Sequence, residues 1–128
     1  MKTTLTKNIK PFLKWVGGKG QLLNQFEALY PEQYNNYFEP FIGGGAVFFS
    51  LAPQRAYIND INQTLVQTYK NIKTDVENLI DALGKLESEF LVKDTDARKV
   101  MYYALRERYN SLHTEDFERS LYFIFFNK

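Results

Sequence analysis

The chain has 128 residues, within the roughly 100–200 of one domain, and its 45% apolar and 16% aromatic content suits a packed core rather than disorder. It has no cysteine, which excludes disulfides, zinc–cysteine sites and a cysteine nucleophile. No apolar run approaches the roughly 20 residues of a membrane span, and the first ten residues lack the apolar stretch of a secretory leader, so the expectation is a soluble, cytoplasmic protein with no membrane partner. The formal charge is only +1, yet Lys2, Lys7, Lys10, Lys14 and Lys19 fall in the first twenty residues with no acid among them. Such an arm suits either phosphate contact or simple solvation.

After the basic arm, Gly17, Gly18 and Gly20 punctuate a turn, and Leu22, Leu23, Phe26, Leu29 and Tyr30 recur at helical spacing until Pro31. The aromatic run from Asn36 to Phe41 predicts a short strand, Gly43, Gly44 and Gly45 a turn, and Ala46 to Leu51 a helix. Pro53 breaks the chain, and Arg55 to Asn59 predicts a second strand closing on Asp60. Strand, glycine turn, helix and strand in this order join parallel neighbours, so the expected fold class is α/β with a doubly wound sheet.

From Asn62 the pattern is helical. Leu65, Val66, Tyr69 and Ile72 precede a capping box of Thr74 and Glu77, and Val76, Leu79, Ile80, Leu83 and Leu86 follow it. A helix starting near Asp96 is expected to carry Val100, Met101, Ala104 and Leu105 inward and to leave Arg98, Arg106 and Arg108 for solvent or a partner. Thr114 is placed to cap a last helix whose run Leu121 to Phe126 is apolar on every side. The chain ends two residues later with nothing further in sequence to cover that run. Two predicted strands are also fewer than the roughly five or six of such sheets. Both points lead to the expectation of a truncated chain, with self-association through the last helix if it stays uncovered.

Three groups of residues carry chemistry. Pro11 to Lys19 combines Trp15, Gly17, Gly18 and Lys19, but the spacing is not that of a phosphate-binding P-loop, and a purely structural turn would look the same. Glu39, Pro40, Phe41, Gly43 and Gly45 lie at the carboxyl end of the first strand, where open α/β sheets bind ligands, although the third glycine of the dinucleotide fingerprint is replaced by Val47 and Phe48. Asp60 ends the second strand, 17 positions after Gly43, where an acid accepts both hydroxyls of a ribose or, alternatively, caps the next helix. Together they describe a pocket for adenosine, and the incomplete glycine pattern favours a nucleoside without phosphates over a dinucleotide. His113 is the only histidine and has no companions at catalytic or metal spacing.

The ordered segments F-L-K-W-x-G-G-K, F-E-P-F-x-G-x-G and x-N-D-I-N also resemble the Dam-type DNA adenine-N6 methyltransferases. The resemblance continues more loosely through Tyr102 to Asn110 and Leu121 to Lys128. It implies the N-terminal part of a Rossmann-like, S-adenosylmethionine-dependent methyltransferase fold over residues 1–72. The helical start of a target-recognition, DNA-binding region would follow over 73–128. By the same resemblance, Trp15, Gly17, Gly18, Lys19, Glu39, Pro40, Phe41, Gly43, Gly45, Asp60 and Ile61 would bind or shape the pocket for S-adenosylmethionine. Lys14 would contact the substrate, double-stranded DNA bearing a short recognition site. The family's catalytic D-P-P-Y is not found in the 128 residues, so no catalytic residue is expected here and the chain should be inactive alone. The alternatives are a non-catalytic or split-subunit binding module and an unrelated NAD-binding domain.

Overall fold

A computed structural model of the protein describes residues 9–128, so Lys2 and Lys7 of the basic arm lie outside the described residues. The chain divides into two compact units, one ending at Ile61 and the other running from Asn62 to Lys128.

The first unit is built on turns. The Gly18 amide donates to Trp15 O at 3.1 Å, and Gly17 takes a φ of +73°, the value that the third position of a type II turn requires. Short helical turns follow at Lys19–Leu22, Leu23–Phe26 (α1) and Glu27–Leu29. Tyr30 is extended, as expected of a residue before proline. Strand β1, Tyr37–Glu39, pairs in parallel with β2, Ala56–Ile58, with Phe38 opposite Tyr57. A parallel pair needs a crossover rather than a hairpin. Helix α2, Ala46–Leu51, lies in that crossover, over the residues the sequence predicts. Leu13, Ile42, Ala46, Val47 and Leu51 are buried. The described residues thus form a mixed fold of helices with a two-stranded parallel sheet, consistent with the α/β class.

The second unit is helical: α3 (Gln63–Leu91), α4 (Thr95–Ser111) and α5 (Phe117–Phe126). Asn62 Oδ1 accepts from the Leu65 amide at 3.0 Å and Asp94 Oδ1 from the Ala97 amide at 2.8 Å, each occupying the N-cap of its helix. The two helical patterns that the sequence separates at Thr74 and Glu77 do meet at a break, but without the predicted capping box. The Thr74 hydroxyl donates back to Lys70 O at 3.0 Å, only Asp75 leaves helical geometry, and α3 passes through as a kink.

Three further expectations are corrected. Thr114 does not cap α5; Asp116 stands at that N-cap, with its Oδ2 accepting from the His113 amide at 2.7 Å. Val100 and Ala104 are exposed on α4, leaving only Met101 and Leu105 partly covered. Arg98 is not left to solvent: Nε and Nη2 donate to Phe90 O at 3.1 Å and Leu91 O at 2.6 Å. Those carbonyls lie in the last turn of α3, at its negative pole, where Phe90 O also accepts from the Lys93 amide at 3.3 Å.

Helix α5 finds cover within the chain. Leu121 and Ile124 are buried, Phe125 packs edge-on against Phe90 at 5.4 Å, and Phe126 meets Tyr102 and Tyr109 at 5.3 and 5.9 Å. Rings from α3 and α4 thus cover part of the run, while Tyr122, Phe123, Phe125 and Phe126 stay partly exposed rather than buried on every side. Arg119 ties the same helices together, donating to Thr64 Oγ1 at 3.1 Å, Tyr109 O at 2.8 Å and Leu112 O at 3.0 Å, with its guanidinium 4.2 Å from the Tyr109 ring centre.

Candidate functional site

The first unit contains a cleft of about 690 Å³. Its lining comes from three stretches far apart in sequence: Trp15 and Gly17 to Lys19, then Phe41 to Ala46, then Asp60. These are the three groups singled out by residue type. A cleft of this size is ordinary for a small-molecule site.

The glycines have geometric reasons to be glycines. Gly43 has φ +51° and Gly45 has φ +82°, and a Cβ on Gly43 would stand 2.8 Å from Trp15 Cδ1. The indole thus lies against the bare backbone of the turn. Gly44 has somewhat more room, with Trp15 Cβ at 3.2 Å and Leu13 O at 3.3 Å from the place a Cβ would take. The Gly45 amide closes the turn by donating to Ile42 O at 2.9 Å.

Asp60 is buried, and its Oδ2 accepts from the Gly43 amide at 3.0 Å. Asn62, not Asp60, caps α3, and Asp60 joins the end of β2 to the glycine turn. A carboxylate held at a strand end beside a glycine turn offers an acceptor to a hydroxyl-bearing ligand.

Lys19 reaches across 20 residues. Its Nζ donates to Glu39 Oε1 at 2.9 Å and to Phe41 O at 2.7 Å. Glu39 is 7% exposed, and its other oxygen accepts from the Tyr37 hydroxyl. Burial, then that hydrogen bond, then the negative charge of Glu39 push the Tyr37 hydroxyl well above the ordinary tyrosine range. Tyr30 is raised as well, by burial first and by Glu39 second.

Of the remaining expected residues, Glu39 stands behind the cleft rather than in its wall, and Pro40, Ile61 and Lys14 are exposed outside the lining. Sequence reasoning passed over Leu13, Gln21 and Ile42, which line the cleft, and Tyr37, which holds Glu39. Alternation along β1 is a signal that could have found Tyr37, since positions i and i+2 share a face. Among the described residues no cluster of His, Asp and Glu could hold a metal, and no helix is long and apolar enough to cross a membrane.

The comparisons with known proteins agree with these motifs. The family model described as D12 class N6 adenine-specific DNA methyltransferase matches residues 15–128. A Type II methyltransferase, M.MjaIII, of Methanocaldococcus jannaschii is 42% identical over 131 residues, covering 94% of this chain and 45% of the relative. Another, M1.LlaDCHI of Lactococcus lactis subsp. cremoris, is 54% identical over 82 residues, covering 64% and 29%. A DNA adenine methylase of Haemophilus influenzae is 35% identical over 119 residues, covering 93% and 40%. The chain therefore spans less than half the length of these relatives. Matched over nearly all of its own length, the chain belongs to the D12 class of N6 adenine-specific DNA methyltransferases.

Proposed function

We propose that the first unit is the methyl-donor pocket of an N6-adenine DNA methyltransferase and that its ligand is S-adenosylmethionine. The observation that carries this reading is the meeting of Trp15, Gly17 to Lys19, Gly43 to Gly45 and Asp60 around one cleft. The donor set fits that ligand. Asp60 suits the hydroxyls of a ribose, and Gly43 and Gly45 let a ligand come close to the backbone. The glycine turn lacks the third glycine of the dinucleotide fingerprint, with Val47 and Phe48 in its place, which favours a nucleoside over NAD.

S-adenosylmethionine supplies an electrophilic sulfonium methyl when bound. What these residues contribute is placement. The Gly43 amide fixes Asp60, so an acceptor for the ribose is set before binding. Trp15 lies against Gly43 and bounds the cleft, and Lys19 brings an ammonium to its wall. Phe41, Gly17, Gly18 and Gly45 shape the pocket, Glu39 supports Lys19 from behind, and Pro40 and Ile61 flank the two strand ends.

In this reading β1 and β2 belong to a Rossmann-like methyltransferase sheet, with residues 1–72 in the donor-binding domain and 73–128 opening the target-recognition region. Transfer to adenine N6 in double-stranded DNA with a short recognition site is the activity of the whole protein. It would draw its base-binding D-P-P-Y, which is not found in these 128 residues, from elsewhere. Lys14, exposed beside the cleft segment, is the DNA contact proposed for this chain.

Calorimetric titration with S-adenosylhomocysteine and, separately, with NAD tests the ligand. The expected result is saturable binding of S-adenosylhomocysteine, weakened at least about tenfold by Asp60→Ala through loss of charged hydrogen bonds. Preference for NAD, or indifference to Asp60→Ala, would overturn the assignment.

A further inference from the structure

Lys19, Glu39 and Tyr37 form a chain of contacts that neither the motifs nor the family match explains in full. Tyr37 and Glu39 are alternate residues of β1, so both side chains leave the same face of the strand. One buried carboxylate receives the Tyr37 hydroxyl on Oε2 and the Lys19 ammonium on Oε1. The same ammonium donates to Phe41 O, two residues past the end of β1. An ammonium has three N–H donors, and these contacts use two. Lys19 also lines the cleft, with its side chain 37% exposed.

A lone lysine on a flexible four-carbon stem is a poor fixed donor, because ordering its rotamers costs entropy on every binding event. A lysine already held by a carboxylate and a carbonyl has met most of that cost in the folded state. The carboxylate can hold it only if it is itself held, and Tyr37 does this through the oxygen that Lys19 leaves unused. We infer that Tyr37 is a positioning residue: it braces Glu39 so that the third N–H of Lys19 is presented to the carboxylate at the amino-acid end of the cofactor. The inference rests on the ligand proposed above and extends it to a residue outside the cleft wall. Replacing Tyr37 by Phe removes only the brace, since the ring can keep its packing against Phe48 at 6.4 Å.

The experiment is a double-mutant cycle of Tyr37→Phe and Lys19→Met, read by calorimetry with two ligands. S-adenosylhomocysteine carries the amino-acid end and 5′-methylthioadenosine lacks it. Tyr37→Phe is expected to weaken S-adenosylhomocysteine about tenfold while changing methylthioadenosine less than about twofold. In the Lys19→Met background, itself weakened for S-adenosylhomocysteine, Tyr37→Phe is expected to add nothing. Equal losses for both ligands, additive losses in the cycle, or no effect of either single change would reduce Tyr37 to a structural residue and overturn the inference. Failure of the unsubstituted chain to bind either ligand would overturn the cofactor reading as well, an outcome distinct from a silent Tyr37→Phe.

Discussion

Buried polar side chains are arranged differently in the two units. Up to Ile61, Glu39 and Asp60 bind donors that border a cleft: the Lys19 ammonium in one case and the Gly43 amide in the other. From Asn62 onward, the buried hydroxyls of Thr64, Thr68 and Ser120 bond to helix side chains and carbonyls: Thr68 to Thr64 O at 2.7 Å, Ser120 to Asn71 at 2.8 Å, Thr64 to Arg119. The charged centre of the second unit, Arg119, spends its described bonds on two carbonyls and a hydroxyl at the helix junctions. Composition alone would not separate these cases. What distinguishes the first unit is that its buried carboxylates hold groups that border a cleft, whereas the buried polar groups of the helical unit close on one another.

The sharpest way to break this contrast is at Gly43. Gly43→Ala places a methyl against Trp15 and forces a positive φ on a residue with a Cβ, which should cost about 2–4 kcal/mol of stability and abolish ligand binding. Denaturant unfolding and titration of the same sample check both effects. A variant that still binds normally would show that the turn does not contact the ligand.

Arg119→Met should cost about 2–3 kcal/mol, since it removes two hydrogen bonds to carbonyls, one to a hydroxyl and a cation–π contact while keeping much of the apolar stem. Its signature is a lower thermal midpoint with unchanged S-adenosylhomocysteine affinity. Lost affinity at temperatures where the chain is folded would mean that the two units do not divide their roles in this way.

Tyr37 gives a smaller effect that depends on pH. Its folded hydroxyl holds its proton above the pH at which the unfolded tyrosine, near the usual value of about 10, releases it. The folded state then binds more protons than the unfolded state, so this contribution is complete below about pH 10 and is lost progressively as pH rises beyond it. Tyr37→Phe should therefore flatten the alkaline limb of the stability curve, as measured by urea unfolding between neutral pH and pH 11. An unchanged limb would contradict the burial of the hydroxyl against Glu39.

Much of the first unit was legible because its punctuation is chemical. Proline and glycine set off β1, the turn, α2 and β2, and the strands differ from expectation only by shorter ends. The cleft was legible in its three motifs, since each needs a residue type with one main use: glycine for positive φ, an acid at a strand end, an aromatic beside glycines. The brace on Lys19 was not, because it joins positions 20 residues apart that no local pattern connects. In the helical unit, Thr74 and Glu77 fit a capping box by spacing, but a helix can pass a threonine whose hydroxyl bonds back to the preceding turn, as it does here to Lys70. Arg98 was expected to face solvent or a partner by its place on α4, whereas it bonds back to the carbonyls in the last turn of α3.

The smallest predicted change is a gain. Ala52 ends α2 with φ 43° and ψ 56°, a left-handed conformation that costs a residue with a Cβ about 1–2 kcal/mol. Ala52→Gly relieves this, offset in part by the greater freedom of glycine in the unfolded chain, so a net gain of about 0.5–1 kcal/mol is expected. Ligand affinity should not move.

The central claim, that the glycine-lined cleft of the first unit receives S-adenosylmethionine, is most directly tested through Trp15, the only tryptophan in the chain and part of the cleft wall. Its fluorescence should change saturably as S-adenosylhomocysteine is added, with one site per chain, and the change should be lost in Asp60→Ala. A flat signal from a folded chain, or a response to NAD that S-adenosylhomocysteine does not compete away, would contradict the account.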